Sequence, residues 1–440
     1  MKRITIAAMM MLTLGGCGIF RGGGEKGPKT PLLGERVPIL TLEGAAEVDA
    51  SLADVPVTVP PAEVNAAWAQ SGGNELKAMD HLALGTALGR AWSVSIAGGS
   101  KKVRLAASPV VANDTVYVID TDAVVHAFAA SNGSERWRKS LGVSGDGKDS
   151  VFGGGVSFDA GRVYATNGVG DVAALDATTG NVLWKVRPAG PMRGAPTVTS
   201  GQIYAITQDN QIYALNAEDG KTIWNEAGTL ESSGIFGVAA PSVAQGTVVA
   251  GFSSGELTAY RYENGRAVWQ DALSRTSMST AVASLSDIDA DPVIVDGKVY
   301  AIGQGGRMVA LDIVTGQRLW ELNIGGISTP WVAGDWIFVV TDQAQLLCIA
   351  RASGKVRWMT QLPMWRKPKK KDQYISWIGP ILAGNRLILA NTRGSLLNVA
   401  VADGKIGNGT NVGNDIYLPP VVANNTLYIL DAKGHLSAWR

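Results

Sequence analysis

The sequence predicts an all-β fold: an eight-bladed β-propeller of four antiparallel strands per blade, its ring closed by an N-terminal strand. Three observations predict it. Eight segments share one register, each carries turn residues at fixed offsets, and a tryptophan recurs near the end of six of them. Self-similarity at a period of roughly 40–50 residues marks a repeat architecture, and four short strands per repeat make a propeller blade.

The eight segments start at Pro109, Val156, Pro196, Pro241, Pro292, Pro330, Pro380 and Pro420. Eight residues on stands Tyr117, Tyr164, Tyr204, Val249, Tyr300, Phe338, Ile388 or Tyr428. Twenty-four on stands Gly133, Gly180, Gly220, Gly265, Gly316, Gly354 or Gly404. Twenty-eight on stands Trp137, Trp184, Trp224, Trp269, Trp320 or Trp358, and the seventh repeat breaks the rule with Asn408.

Three turn signals divide each repeat into four strands. The first is a pair such as Asn113-Asp114, Asp296-Gly297 or Asn424-Asn425. The second is Gly170, Asn210, Gly255, Gly306, Gly394 or Gly434, fourteen residues after the start. The third is the glycine at twenty-four. These residue types supply positive φ and tight hairpins. Between them lie short runs rich in Val, Ile and Tyr, such as Val116–Ile119 and Val124–Phe128, which read as strands. The regular tryptophans read as packing between neighbouring blades; even spacing spreads them around a ring and gathers no ligand cage.

The eighth repeat ends at Arg440, one strand short. The segment Ala91-Trp92-Ser93-Val94 has the outer-strand pattern and supplies the missing strand, which removes an exposed sheet edge. The propeller is thus expected over residues 63–440.

Before it come two other segments. Met1-Lys2-Arg3, an apolar run from Ile4 to Leu14 and Leu14-Gly15-Gly16-Cys17 form a secretory leader too short to span a bilayer. The end of that run resembles the bacterial lipobox. The resemblance implies cleavage before Cys17, so that residues 1–16 are a signal peptide and Cys17 carries the acyl chains. Gly18 in place of Asp favours sorting to the outer membrane, facing the periplasm. Residues 17–62 hold Gly22-Gly23-Gly24 and many prolines without a sustained period, and read as a flexible tether.

Composition narrows the function classes. The chain has 39 basic and 38 acidic residues, and losing Lys2 and Arg3 with the leader leaves 37 against 38. That balance argues against nucleic-acid binding. Two cysteines, Cys17 and Cys348, and three scattered histidines, His81, His126 and His435, support neither a disulfide framework nor a metal centre. Gly303-Gln304-Gly305-Gly306 is like a phosphate loop only in letters, because it falls on a hairpin turn and not before a helix. No Ser-His-Asp set or carboxylate pair stands out as catalytic.

The segment Ala173-Ala174-Leu175-Asp176-Ala177-Thr178-Thr179-Gly180-Asn181-Val182-Leu183-Trp184 resembles the repeat of pyrroloquinoline-quinone (PQQ) type propellers, and Tyr213 to Trp224 is a second match. Two bacterial classes share that repeat: the quinoprotein dehydrogenases and the BamB family of lipoproteins of the outer-membrane β-barrel assembly (BAM) machinery. Resemblance to the BamB family covers nearly the whole mature chain. It includes the lipobox, the eight blades and Leu285-Ser286-Asp287-Ile288-Asp289 before Pro292; Ala67 to Asn74 is similar to alphaproteobacterial members. It implies a scaffold without enzymatic activity or cofactor. Such a scaffold binds BamA through its POTRA modules, works beside other BAM subunits and assists folding and insertion of unfolded outer-membrane proteins. The alternatives are a PQQ-dependent dehydrogenase-like propeller and a periplasmic glycan-binding propeller. The dehydrogenases usually need calcium ligands, a catalytic Asp and often adjacent cysteines, and this chain has no adjacent cysteines.

Blade geometry assigns two faces. Turns after strands one and three share one face and are short. Turns after strand two share the other with the links between blades, which vary in length, and variable loops on a rigid scaffold are where binding sits. Three links stand out. Ser233-Gly234-Ile235-Phe236-Gly237 follows blade three and puts an apolar pair, Ile235 and Phe236, in a link. Asp287 and Asp289 follow blade four and read either as turn caps or as an acidic rim. These two links flank one blade and are expected to form one patch. The resemblance implies that this patch contacts BamA, with Phe236 standing where the family has a basic residue. Trp365-Arg366-Lys367-Pro368-Lys369-Lys370-Lys371 follows blade six. Its cations, Arg366, Lys367, Lys369, Lys370 and Lys371, read either as a solvated loop or as a contact for acidic headgroups or an acidic partner surface.

Overall fold

The computed structural model describes residues 46–100, 102–142, 153–230, 239–273, 287–304 and 306–440. Among them are eight four-stranded antiparallel sheets, one for each predicted repeat. Blade one is typical: an inner strand Val110–Ala112, then Thr115–Ile119, Val124–Ala129 and an outer strand Glu135–Ser140. The inner strands are buried and the outer strands largely exposed.

The turn chemistry is as the sequence demands. Asn113 and Asp114 both have positive φ, of 50° and 53°, which is the geometry of the two-residue turn that matches strand twist. The second turn holds one positive-φ residue in every blade. Blades one and six use Ala123 and Ala344 there, which is why those two repeats lack the Gly or Asn signal.

Neighbouring blades are joined by the tryptophans. Each indole lies on the glycine of the third turn of the next blade and donates its Nε1–H to a backbone carbonyl there. Trp137 donates to Ala177 O at 2.9 Å and covers Gly180, and Trp224 donates to Tyr262 O at 2.8 Å and covers Gly265. The same pair of contacts joins blades three, five, six and seven to the blade before each of them, through Trp184, Trp269, Trp320 and Trp358. A second junction lies nearer the channel. Ser157 Oγ donates to Pro196 O at 2.5 Å and Thr197 Oγ1 to Pro241 O at 2.5 Å, so the start-position prolines lend their carbonyls to the preceding blade.

Ring closure follows the expected scheme. Arg90–Ser95 is the outer strand of blade eight, and Trp92 pairs with Ala438 across it. This arrangement also explains Asn408. Strands three and four of blade eight come from opposite ends of the chain, so no third turn exists for a blade-seven tryptophan to cover.

One element was not legible in the sequence. Residues 65–82 form a strap that visits the inner strand or first turn of every blade in ring order. Asn65 O accepts from Asn424 N of blade eight, and Trp68 exchanges two backbone bonds of 2.8 Å with Val111 of blade one. Ala69 O accepts from Phe158 N, and the Gln70 amide brackets Val198 through both its backbone groups. Glu75 and Leu76 accept from Val243 and Ile294 of blades four and five. Asp80 O accepts from the Trp331 indole of blade six, and Leu82 pairs with Leu382 of blade seven. Upstream, residues 46–55 lie against the outer strand of blade six, where Asp49 N donates to Val356 O and Asp49 meets Lys355 at 3.0 Å.

Candidate functional site: the link face

The strap crosses the inner strands near their first turns. Its residues Trp68, Ser71, Gly72 and Lys77 line a cavity of about 260 Å³ together with residues of the links between blades. Leu105, Ile327, Ile378 and Leu418 are among its apolar walls. Lys77 is 4% exposed and donates to Thr197 Oγ1 at 2.9 Å, and burial pushes its ammonium down to about 8 despite the charge of Asp291.

Asp289 lines this cavity, and with Asp287 beside it occupies a position the sequence did not suggest. Asp287 is 1% exposed and Asp289 is largely covered. Both meet Arg193, which reaches over from the link between blades two and three. Its Nη2 stands 2.6 Å from Asp287 Oδ1 and 3.5 Å from Asp289 Oδ1, and Arg193 is itself 2% exposed. An exposed acidic rim is therefore not the geometry here: desolvation would be severe for a lone carboxylate, and the guanidinium offsets it. Burial, with the charge of Asp287 beside it, pushes the Asp289 carboxyl up to about 7, while Arg193 acts in the opposite direction. Asp287 is also raised by burial.

The acidic segment is tied to a turn in each of blades four and five and to the two flanking links. Ile288 is fully buried, and its N–H donates to Phe252 O of blade four. Gln304 N of blade five donates to Asp287 O at 2.9 Å. Asp291 Oδ1 accepts from Ala240 N at 2.7 Å, and Asp291 N donates to Thr329 Oγ1 at 3.1 Å. Sequence reasoning missed Arg193 because a single arginine in a link carries no pattern.

The remaining candidates divide. Cys17, Ile235 and Phe236 lie outside the described residues. The basic segment forms a small hairpin of Trp365–Lys367 and Asp372–Tyr374, and its five cations are all exposed. Trp365 and Tyr374 meet edge to face at its base, and Lys367 stands 3.5 Å from Asp372. The hairpin springs from the link after blade six, so it shares the face of the acidic segment. His126 pairs with Asp120 and His435 with Asp431, while the buried His81 ring holds the strap to Pro60 O and Asn385 N. Among the described residues no cluster of His, Cys, Asp and Glu could hold a metal ion, and no helix is long and apolar enough to cross a membrane.

Comparison with known proteins gives consistent results. The family model described as outer membrane protein assembly factor BamB matches residues 57–151 and 121–360. Outer membrane protein assembly factor BamB of Salmonella typhimurium is 31% identical over 352 residues, covering 79% of this chain and 87% of that one. The protein of the same description from Escherichia coli K12 is 30% identical over 347 residues, covering 78% and 86%. The crystal structure of BamB from Moraxella catarrhalis superposes with a TM-score of 0.67 at 20% identity, over 80% of this chain and all of that one. Quinohemoprotein alcohol dehydrogenase from Comamonas testosteroni shares the fold, with a TM-score of 0.63 at 15% identity over 89% of this chain and 82% of that one.

Proposed function

The chain belongs to the family of outer membrane protein assembly factor BamB, and we propose that it acts there as a non-catalytic scaffold whose link face binds BamA through its POTRA modules. The observation that carries this reading is the match to BamB proteins along most of the propeller. Several features of the molecule are consistent with it. The blades are fixed by backbone turns and tryptophan junctions, whereas the links differ from one another. Ile235 and Phe236 supply the apolar anchor of the patch, and apolar anchors dominate interface energy. Asp287 and Asp289 shape the neighbouring link. The hairpin cations Arg366, Lys367, Lys369, Lys370 and Lys371 give the same face a positive edge, which steers approach of an acidic surface. Other BAM subunits and unfolded outer-membrane proteins complete the set of partners.

Attachment to the outer membrane, on its periplasmic side, is assigned to acyl chains on Cys17. Each buried methylene adds about 0.8 kcal/mol, so several chains hold the protein without a spanning segment. The test is a pull-down of the lipidated protein from its native membrane in mild detergent, followed by mass spectrometry. Recovery of a BamA-type protein is the expected result. A second arm titrates purified POTRA modules against wild-type protein and Phe236→Ala. Failure to recover any barrel-assembly subunit, together with unchanged affinity for Phe236→Ala, would overturn the reading.

A further inference from the structure

We propose that Arg193 is a positioning residue for partner binding: it reaches across from the link between blades two and three and holds the acidic segment at 287–289 in its binding conformation. The inference rests on the partner-binding reading of the link face given above.

Three observations carry it. First, the pair is sealed. Arg193 and Asp287 are 2% and 1% exposed, so neither offers a free charge to a partner, and what they can do is fix the segments that bear them. Second, the segment they fix is a hub. Residues 287–291 are bonded to blade four through Phe252, to blade five through Gln304, and to the flanking links through Ala240 and Thr329. Arg193 extends that hub by one more link, and its own backbone is bonded to Gly154 of blade two and Ile206 of blade three. A shift of Arg193 is therefore felt by four consecutive blades on one face. Third, a buried ion pair adds little net stability compared with apolar packing, yet it punishes every arrangement that leaves one charge unpaired. That is the property needed to hold a loop surface in one conformation before a partner arrives, and preorganisation of this kind raises affinity by removing an ordering cost.

The charged groups facing Asp289 are Asp287, on its own segment, and Arg193, from the opposite link. Lys77 and Asp291 face each other deeper in the channel. Removing the guanidinium takes away the one charge that favours ionised Asp289. Its titration then moves to higher pH, and any pH dependence of binding must move with it. A residue that only filled space would leave that midpoint alone.

The experiment uses the full lipidated chain in mild detergent, titrated with POTRA modules of the BamA-type protein of the same bacterium from pH 6 to pH 9. Arg193→Gln should bind about tenfold more weakly at neutral pH, because ordering of the segment is then left to the moment of binding. Its pH midpoint should lie above that of wild type. Arg193→Lys, which keeps the charge, should recover most of the affinity. The exchange Arg193→Asp with Asp287→Arg should bind better than either single change. Phe236→Ala is measured alongside. Wild-type affinity and an unmoved midpoint for Arg193→Gln, with weakened Phe236→Ala, would overturn the role of Arg193 while leaving the patch intact. Wild-type affinity for both would sink the patch reading itself. Should Arg193→Gln not fold, the charge exchange decides: a folded exchange variant that binds no better than Asp287→Arg alone refutes the proposal.

Discussion

The indole of Trp92 lies on the α-carbon of Gly133, with its Nε1–H bonded to Ala130 O at 3.0 Å. A Cβ at Gly133 would stand 2.7 Å from the ring, and φ there is +75°, so both space and backbone require glycine. The two residues come from the first strand of the fold and from the third turn of blade one, and their contact seals blade eight to blade one. Trp92→Ala should cost about 3–5 kcal/mol, the usual loss for a buried aromatic. Gly133→Ala should also destabilise, but the double change should cost less than the sum, because the clash disappears with the ring. Thermal unfolding of the four proteins measures this, and strict additivity would show that the contact is not what closes the ring.

Asn408→Trp should restore the sequence consensus without restoring a junction. No third turn of blade eight is available for the new ring, and the outer strand Ile406–Asn411 is exposed throughout. The expected change in stability is within about 0.5 kcal/mol of zero, as for an ordinary surface substitution. A gain comparable to the loss in Trp92→Ala would mean that blade eight offers a docking surface after all.

Asp289 gives stability a pH dependence whose sign can be worked out. Its folded value lies near 7, above the ordinary 3.8, so the native protein binds the extra proton between those two values. The stability this contributes is fully present below about pH 4 and is lost as pH rises towards 7. Asp289→Asn should flatten the curve of unfolding free energy over that window and should be relatively more stable than wild type at pH 8. A wild-type slope in the variant would place the responsible group elsewhere.

Cys348 is fully buried, and burial pushes its thiol well above the usual range. With Cys17 acylated, the native protein should take up no maleimide until it unfolds, and one equivalent afterwards. Cys17→Ala with an ordinary cleavable leader should lose membrane attachment and then label in the same way. Salt-resistant membrane retention of that variant without partners would show that Cys17 is not the anchor.

The blades were legible because their signals are periodic: a positive-φ turn, an alternating strand and a tryptophan recur often enough to be recognised even where Ala123 or Asn408 departs from the pattern. The strap was not, because it binds largely through backbone groups to partners spread over eight repeats, and its buried Gln70 and Lys77 find theirs on one strand of blade three. The acidic segment is legible from its place in a long link between repeats and from the family resemblance of residues 285–289. Its burial was not readable. Whether Asp287 faces water depends on Arg193, some ninety positions earlier, and no local pattern joins the two.

The pairing of Trp92 with Ala438 also sets a timetable. A chain that emerges N-terminus first holds its outer strand for blade eight unpaired while every other blade is still to come. Contacts of such sequence separation are the slowest to form, because loop-closure entropy must be overcome before they return anything. A molecule that stops short of residue 435 has no mate for that strand and keeps an open edge. Residues 435–439 therefore act as a latch, and the ring can close only after they have been made.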